Sequence, residues 1–149
     1  MTRRMSRTAT LALAAALLVG APALTGCAMV EGIIEQQTGG DVDLGGASVP
    51  ADFPSEVPLA DGDVVNGSAI TGSGGERVWN VLMNVTDPDA PTTIAAQLEG
   101  AGFASAGMGT VGEQGGTLTY SRDALVVNVL LAKVDTGWTA NYTVARSAE

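Results

Sequence analysis

Along the chain the spacing of apolar positions changes several times, and each change marks an element. From Val78 to Val85, Trp79, Val81, Met83 and Val85 alternate with Asn80, Leu82 and Asn84. That is the period of two expected of a half-buried strand. From Gly137 to Ala145, Trp138, Ala140, Tyr142 and Val144 alternate with Thr139, Asn141 and Thr143 in the same way. Asp63 to Ile70, carrying Val64, Val65 and Ile70, reads as a first strand that ends at the Gly72-Ser73-Gly74-Gly75 turn. Thr117 to Arg122 puts Leu118 and Tyr120 on one face. Leu125 to Val134 is almost continuously apolar, the pattern of a central strand covered on both faces.

Between the second and third of these strands the period lengthens. Ile94, Ala95 and Leu98 make a helical stripe, with Asp89 as the N-cap candidate, Pro91 in the first turn and Gly100-Ala101-Gly102 as the stop. Phe103 then leads into a further short strand or directly into 107–116, a stretch with five glycines that reads as a loop or an irregular hairpin. Short connections at Arg122-Asp123 and Asp135-Thr136-Gly137 predict an antiparallel meander for the last three strands. The order β-β-α-β-β-β predicts an α+β two-layer sandwich, one helix on a mainly antiparallel sheet of about four to six strands, over residues 61–146.

The N-terminal part has a different pattern. Arg3, Arg4 and Arg7 precede an apolar run from about Thr10 to Val19, followed by Gly20, Ala21 and Pro22. This is the layout of an export signal, and the run is shorter than the roughly 20 residues that span a bilayer. The residues after Arg3-Arg4 lack the apolar character of a twin-arginine signal, which favours general secretion. Leu24-Thr25-Gly26-Cys27 resembles the lipobox of bacterial lipoproteins. The resemblance covers only the leader and Cys27. It implies removal of residues 1–26, with Leu24, Thr25 and Gly26 read by the signal peptidase. It further implies a diacylglyceryl group on the Cys27 thiol and anchorage at the outer, extracytoplasmic face of the cell membrane.

Residues 27–60 would then be a flexible, lipid-anchored tether. Gly39-Gly40-Asp41-Val42-Asp43-Leu44-Gly45-Gly46 has the composition of a segment that cannot order itself. Within it Val30, Ile33 and Ile34 lie at helical spacing with Glu31 and Glu35 on other faces, which fits a short helix on membrane or domain, or a frayed linker patch. Phe53-Pro54 and Val57-Pro58-Leu59 are positioned to dock back as an extended lead-in.

Composition narrows the chemistry. The 149 residues include no histidine, one cysteine and one lysine, so imidazole-based triads, Cys-His pairs and CxxC motifs are excluded. Loss of the leader leaves Arg77, Arg122, Lys133 and Arg146 against sixteen carboxylates, a net charge of about minus twelve. Such a body has no basic footprint for nucleic acid and is repelled by anionic headgroups. Lys133 ends a strand, and Ser68, Ser73, Ser105 and Ser121 show no nucleophile-elbow motif. The carboxylate pairs Asp61/Asp63 and Asp87/Asp89 sit at turns, where Asp bends and caps the backbone. They are also the only candidates for a small hydrolase or wall-enzyme accessory. Asp61, Asp63 and Asn66 are candidates for a low-affinity calcium site, although Val65 and Ala69 occupy positions where an EF-hand loop has ligands. The triplets Asn66-Gly67-Ser68, Asn84-Val85-Thr86 and Asn141-Tyr142-Thr143 match the N-glycosylation pattern, which chance produces often in Thr/Asn-rich strands. Trp79, Trp138, Tyr120 and Tyr142 fall on inward strand positions and are expected in the core. The chain is therefore expected to be a non-catalytic binding or assembly lipoprotein with an envelope protein or wall polymer as partner. No catalytic residue and no cofactor beyond the covalent lipid are expected. A partner strand could add at 107–116 or at an open sheet edge.

Overall fold

The computed structural model describes residues 42–107 and 109–148. The leader, the Leu24-Thr25-Gly26-Cys27 motif and residues 27–41 of the expected tether lie outside the described residues. The strands are β1 (Val42–Gly46), β2 (Asp63–Thr71), β3 (Arg77–Val85), β4 (Ala104–Ser105), β5 (Val111–Gly112), β6 (Gly115–Arg122), β7 (Leu125–Val134) and β8 (Gly137–Arg146), with one helix, α1 (Ala90–Gly100), between β3 and β4. All pair antiparallel in one sheet of order β1-β2-β3-β8-β7-β6-β4, with β5 folded back on β6. The α+β architecture is the expected one, and the sheet of eight strands is larger than the four to six read from the sequence.

Trp79, Val81, Met83 and Val85 of β3 face Val144, Tyr142, Ala140 and Trp138 of β8 on the inner side. These residues are buried, and Val127, Val129 and Leu131 of β7 continue the layer. Ile94 and Leu98 of α1 close over it, each contributing about 1.5–3 kcal/mol by burial. The helix ends because Gly102 adopts φ +85°, a conformation open to glycine at no steric cost. The Gly102 N–H then donates to Glu99 O at 2.9 Å and the Phe103 N–H to Leu98 O at 3.0 Å, a Schellman pattern with Phe103 buried behind it.

Three expectations need correction. Leu125–Val134 is covered on one face only: Val126, Leu130 and Val134 are exposed, Leu130 by 56%. Apolar content alone cannot separate a two-sided strand from one whose outward positions are Val and Leu. At the start of α1, Asp89 occupies the N-cap position but its side chain makes no capping bond. The Thr92 and Thr93 N–H groups donate to the Asp89 backbone oxygen at 2.9 and 3.0 Å. Asp87 braces the approach instead: its Oδ1 accepts from the Asp89 N–H at 2.8 Å and its Oδ2 from Thr93 Oγ1 at 2.7 Å. Both bonds hold the Asp87 carboxyl below its usual range, the Thr93 hydroxyl most strongly.

The third correction concerns the tether, because residues 42–60 belong to the folded body. β1 pairs with β2, and Gly46 lies opposite Gly67. The chain then crosses the inner face, where Val57 and Ala60 are buried and Val49, Phe53 and Leu59 pack against the core. The docking expected of Phe53-Pro54 and Val57-Pro58-Leu59 is present, and it draws β1 in with it. Gly67 permits the crossing, since a Cβ there would lie 2.0 Å from the Ser48 carbonyl oxygen.

Polar bonds pin this crossing segment. Arg77 and Arg146 are directly opposed across β3 and β8, which would repel if left alone. Asp52 pairs with Arg77 at 2.7 Å and Glu56 with Arg146 at 3.6 Å, while both guanidinium groups approach the Trp79 ring. Asp52 Oδ1 also accepts from Trp79 Nε1 at 3.1 Å. Farther along, the Ala60 N–H donates to Tyr142 Oη at 3.1 Å.

Two predictions follow from these bonds. Asp52→Ala leaves the buried Trp79 N–H without an acceptor and should cost about 1–3 kcal/mol in chemical denaturation. Asp52→Asn, which keeps an acceptor oxygen, should lose less; equal losses would show that the indole bond contributes nothing. Burial pushes the Tyr142 hydroxyl up to about 12, against the Ala60 hydrogen bond, which lowers it. Burial, followed by the bond and charge of Glu99, also raises Tyr120. In the unfolded chain a tyrosine titrates near 10. The raised Tyr142 value therefore leaves stability unaffected below about pH 10 and removes roughly 2–3 kcal/mol as pH rises from about 10 to 12. Ultraviolet titration should show a late phase near 12 that Tyr142→Phe deletes.

Candidate functional site

A helix of eleven residues and the crossing segment leave part of the inner face uncovered. The gap lies between the first half of α1 and the β5–β6 hairpin, an open groove of about 620 Å3. Its apolar lining comes from Pro88, Pro91, Ala95, Val111, Leu118 and Trp138, and Asp89 and Glu113 stand among the same lining residues as its charged members. Each wall follows from local sequence. Pro91 in the first turn of α1 and the partly buried Ala95 one turn on line the groove from the helix side. Trp138 is fixed at the start of β8 by its Nε1, which donates to Pro88 O at 3.0 Å. Lys133 Nζ lies 4.6 Å from the centroid of the same ring, a cation–π contact. The β5–β6 hairpin forms the far wall, with Val111 opposite Gly116.

The arrangement is suited to binding. An aromatic and aliphatic lining takes an apolar group, and carboxylates beside it favour a cation nearby. The sequence pointed to Trp138 as a core residue, and it is both buried and at the groove. Val111, within the glycine-rich stretch, gave no such signal; the hairpin that places it depends on pairing with β6.

The other candidates are dispersed. Asp63 lies opposite Asn84 and Asn66 opposite Leu82, with a bulge at Val65 between them. Asp61 instead lines a small cavity of about 70 Å3 with Asp87, Thr93 and Gln97. Among the described residues no three His, Cys, Asp or Glu side chains are grouped as metal ligands. Both carboxylate oxygens of Asp87 are engaged at the helix start. Ser68 faces Asn80, Ser121 faces Val126, Ser105 lies in β4 and Ser73 in the β2–β3 turn. Tyr120 Oη donates to Glu99 Oε1 at 3.1 Å. The edge of β6 is already occupied: β4 pairs with Tyr120 and Ser121, the Ala106 N–H donates to Thr119 O at 2.9 Å, and β5 pairs with Gly115 and Gly116. Residues 104–106 and 111–112 therefore occupy these positions on the β6 edge.

Comparison with protein-family models, with curated proteins and with solved structures finds no match. Among the described residues no helix is long and apolar enough to cross a membrane.

Proposed function

We propose that this protein is a lipid-anchored extracytoplasmic binding module whose groove beside Trp138 takes an apolar segment of a cationic peptide or protein of the cell envelope. The observation that carries the reading is the groove itself: an apolar lining around a fixed indole, with Asp89 and Glu113 beside it. The acidity of the whole mature chain points the same way, since it attracts cationic partners over a long range. The non-catalytic assignment draws support from the bonds that occupy Asp87 and from the placement of Lys133 on Trp138. The anchor rests on the leader pattern and the Leu24-Thr25-Gly26-Cys27 motif. It would hold the protein by a diacylglyceryl group on Cys27, with the fifteen-residue step from Cys27 to Val42 reaching at most about 50 Å.

The groove is tested by fluorescence. In Trp79→Phe the only indole left is Trp138. Titration with a short Leu-Phe peptide flanked by lysines should give a saturable emission change. Asp89→Lys with Glu113→Lys should weaken the affinity at least about tenfold, as should raising the salt. An unchanged emission, or an affinity indifferent to charge reversal, sinks the groove as a cationic-peptide site. For the anchor, labelled fatty acid should enter the full-length protein and be lost in Cys27→Ala. Incorporation that survives this change removes the lipidation site.

A further inference from the structure

The outer face of the sheet differs from the rest of this acidic molecule. The outward positions of β2 from Asn66, and those of β3, β8, β7 and β6, hold Asn, Thr, Ser, Gly, Ala, Val, Leu and Ile and no charged residue. Asn80 Nδ2 donates to Thr143 Oγ1 at 3.1 Å, and Thr119 Oγ1 to Asn128 Oδ1 at 2.9 Å. Polar groups already bonded to one another lose less when water is displaced from a face. Ile70, Val126, Leu130 and Val134 are also outward positions, of β2 and β7, and are exposed by 45%, 39%, 56% and 39%. Carboxylates lie elsewhere. Asp52 and Glu56 are on the crossing segment, and Asp89 and Glu113 are beside the groove, all on the inner side. Asp63, Asp123 and Asp135 stand at the rim, at the start of β2 and in the turns that flank β7.

We propose that this outer face is a membrane-contact surface, on which Ile70, Val126, Leu130 and Val134 rest against the phospholipid bilayer that holds the Cys27 anchor. The inference rests on the lipid-anchor reading and adds an orientation to it. The place where the chain arrives selects the bilayer over a soluble partner. Val42 is paired with Ile70 on this face, and Cys27 is fifteen residues upstream, a step of at most about 50 Å. A domain held so close meets the bilayer at a high effective concentration, so a patch too weak to bind as a free protein suffices. Charge selects the face. With the inner side down, Asp52, Glu56, Asp89 and Glu113 would meet anionic headgroups and be repelled. With the outer face down, these groups stand off by the sheet and a helix layer of about 10 Å, more than the screening length of about 8 Å at physiological salt. Aliphatic side chains at the headgroup boundary then contribute in proportion to the apolar area they bury.

The test uses the chain from Cys27 to its end, the form the leader pattern implies, which contains every described residue. Cys27 is its only thiol, so a maleimide phosphatidylethanolamine anchors it at that residue in vesicles of phosphatidylcholine and phosphatidylglycerol, three to one. A photoreactive benzoylphenylalanine is placed at position 126 on the outer face or at position 96, where Ala96 is exposed on α1. Irradiation should give at least fivefold more phospholipid adduct from position 126 than from position 96. Ile70→Asp with Leu130→Asp should reduce the position-126 adduct at least threefold, while Thr92→Asp with Ala96→Asp, the same charges on the other side, should keep it. Equal adduct from the two positions, no lipid adduct from position 126, or one that survives Ile70→Asp with Leu130→Asp overturns the proposal. A cross-linked dimer from position 126 makes the face an interface between copies and overturns it as well. Because the anchor is coupled chemically, such a failure leaves the lipidation of Cys27 in cells to the fatty-acid label alone.

Discussion

One helix about 10 Å across shields roughly two strands of a sheet whose strands repeat every 4.8 Å, and this sheet has eight. That shortfall is the constraint on which the rest of the structure depends. The segment from Val49 to Ala60 supplies the missing cover over β2, β3 and β8, and it can lie there only because Gly67 has no side chain. Its acids do a second task. Asp52 and Glu56 neutralise the two arginines that β3 and β8 set side by side, and Asp52 gives the buried Trp79 indole its acceptor. Where neither helix nor segment reaches, toward β6, the inner layer stays open as the groove beside Trp138.

How much of this was legible depended on whether each signal was local. The alternation in β3 and β8 and the glycine stop of α1 are local patterns, and both appear in place. β1 was not legible, because Val42–Gly46 holds one valine and one leucine beside an aspartate and two glycines and becomes a strand only through β2. β7 shows the opposite failure: Val126 and Leu130 look like core residues, although their period of two puts them on the outer face. The bracing role of Asp87 is hidden for a related reason. Two aspartates flank Pro88, and which of them reaches the Thr93 hydroxyl depends on the backbone around that proline rather than on residue type. The groove was the least legible feature, since its members come from the α1 start, the β5–β6 hairpin and β8, and no single stretch of sequence holds them together.

The two faces of the sheet differ in what reaches them. Val42, where the chain from Cys27 arrives, lies on the outer face, whereas Trp138 and the groove lie on the inner side with α1. An anchor reached through Val42 would therefore leave the groove unobstructed. Charge distribution favours the same division, because the outward positions of β2 from Asn66, and of β3, β8, β7 and β6, hold no charged residue to repel anionic headgroups. The carboxylates beside the groove, Asp89 and Glu113, would then lie on the far side, facing partners rather than lipid. The fifteen-residue step from Cys27 to Val42 would bound how far an anchored domain can turn over. A longer and looser tether would present both faces to the membrane in turn. Were a partner to bind in the groove, a connection entering on the opposite face would keep that partner clear of the membrane.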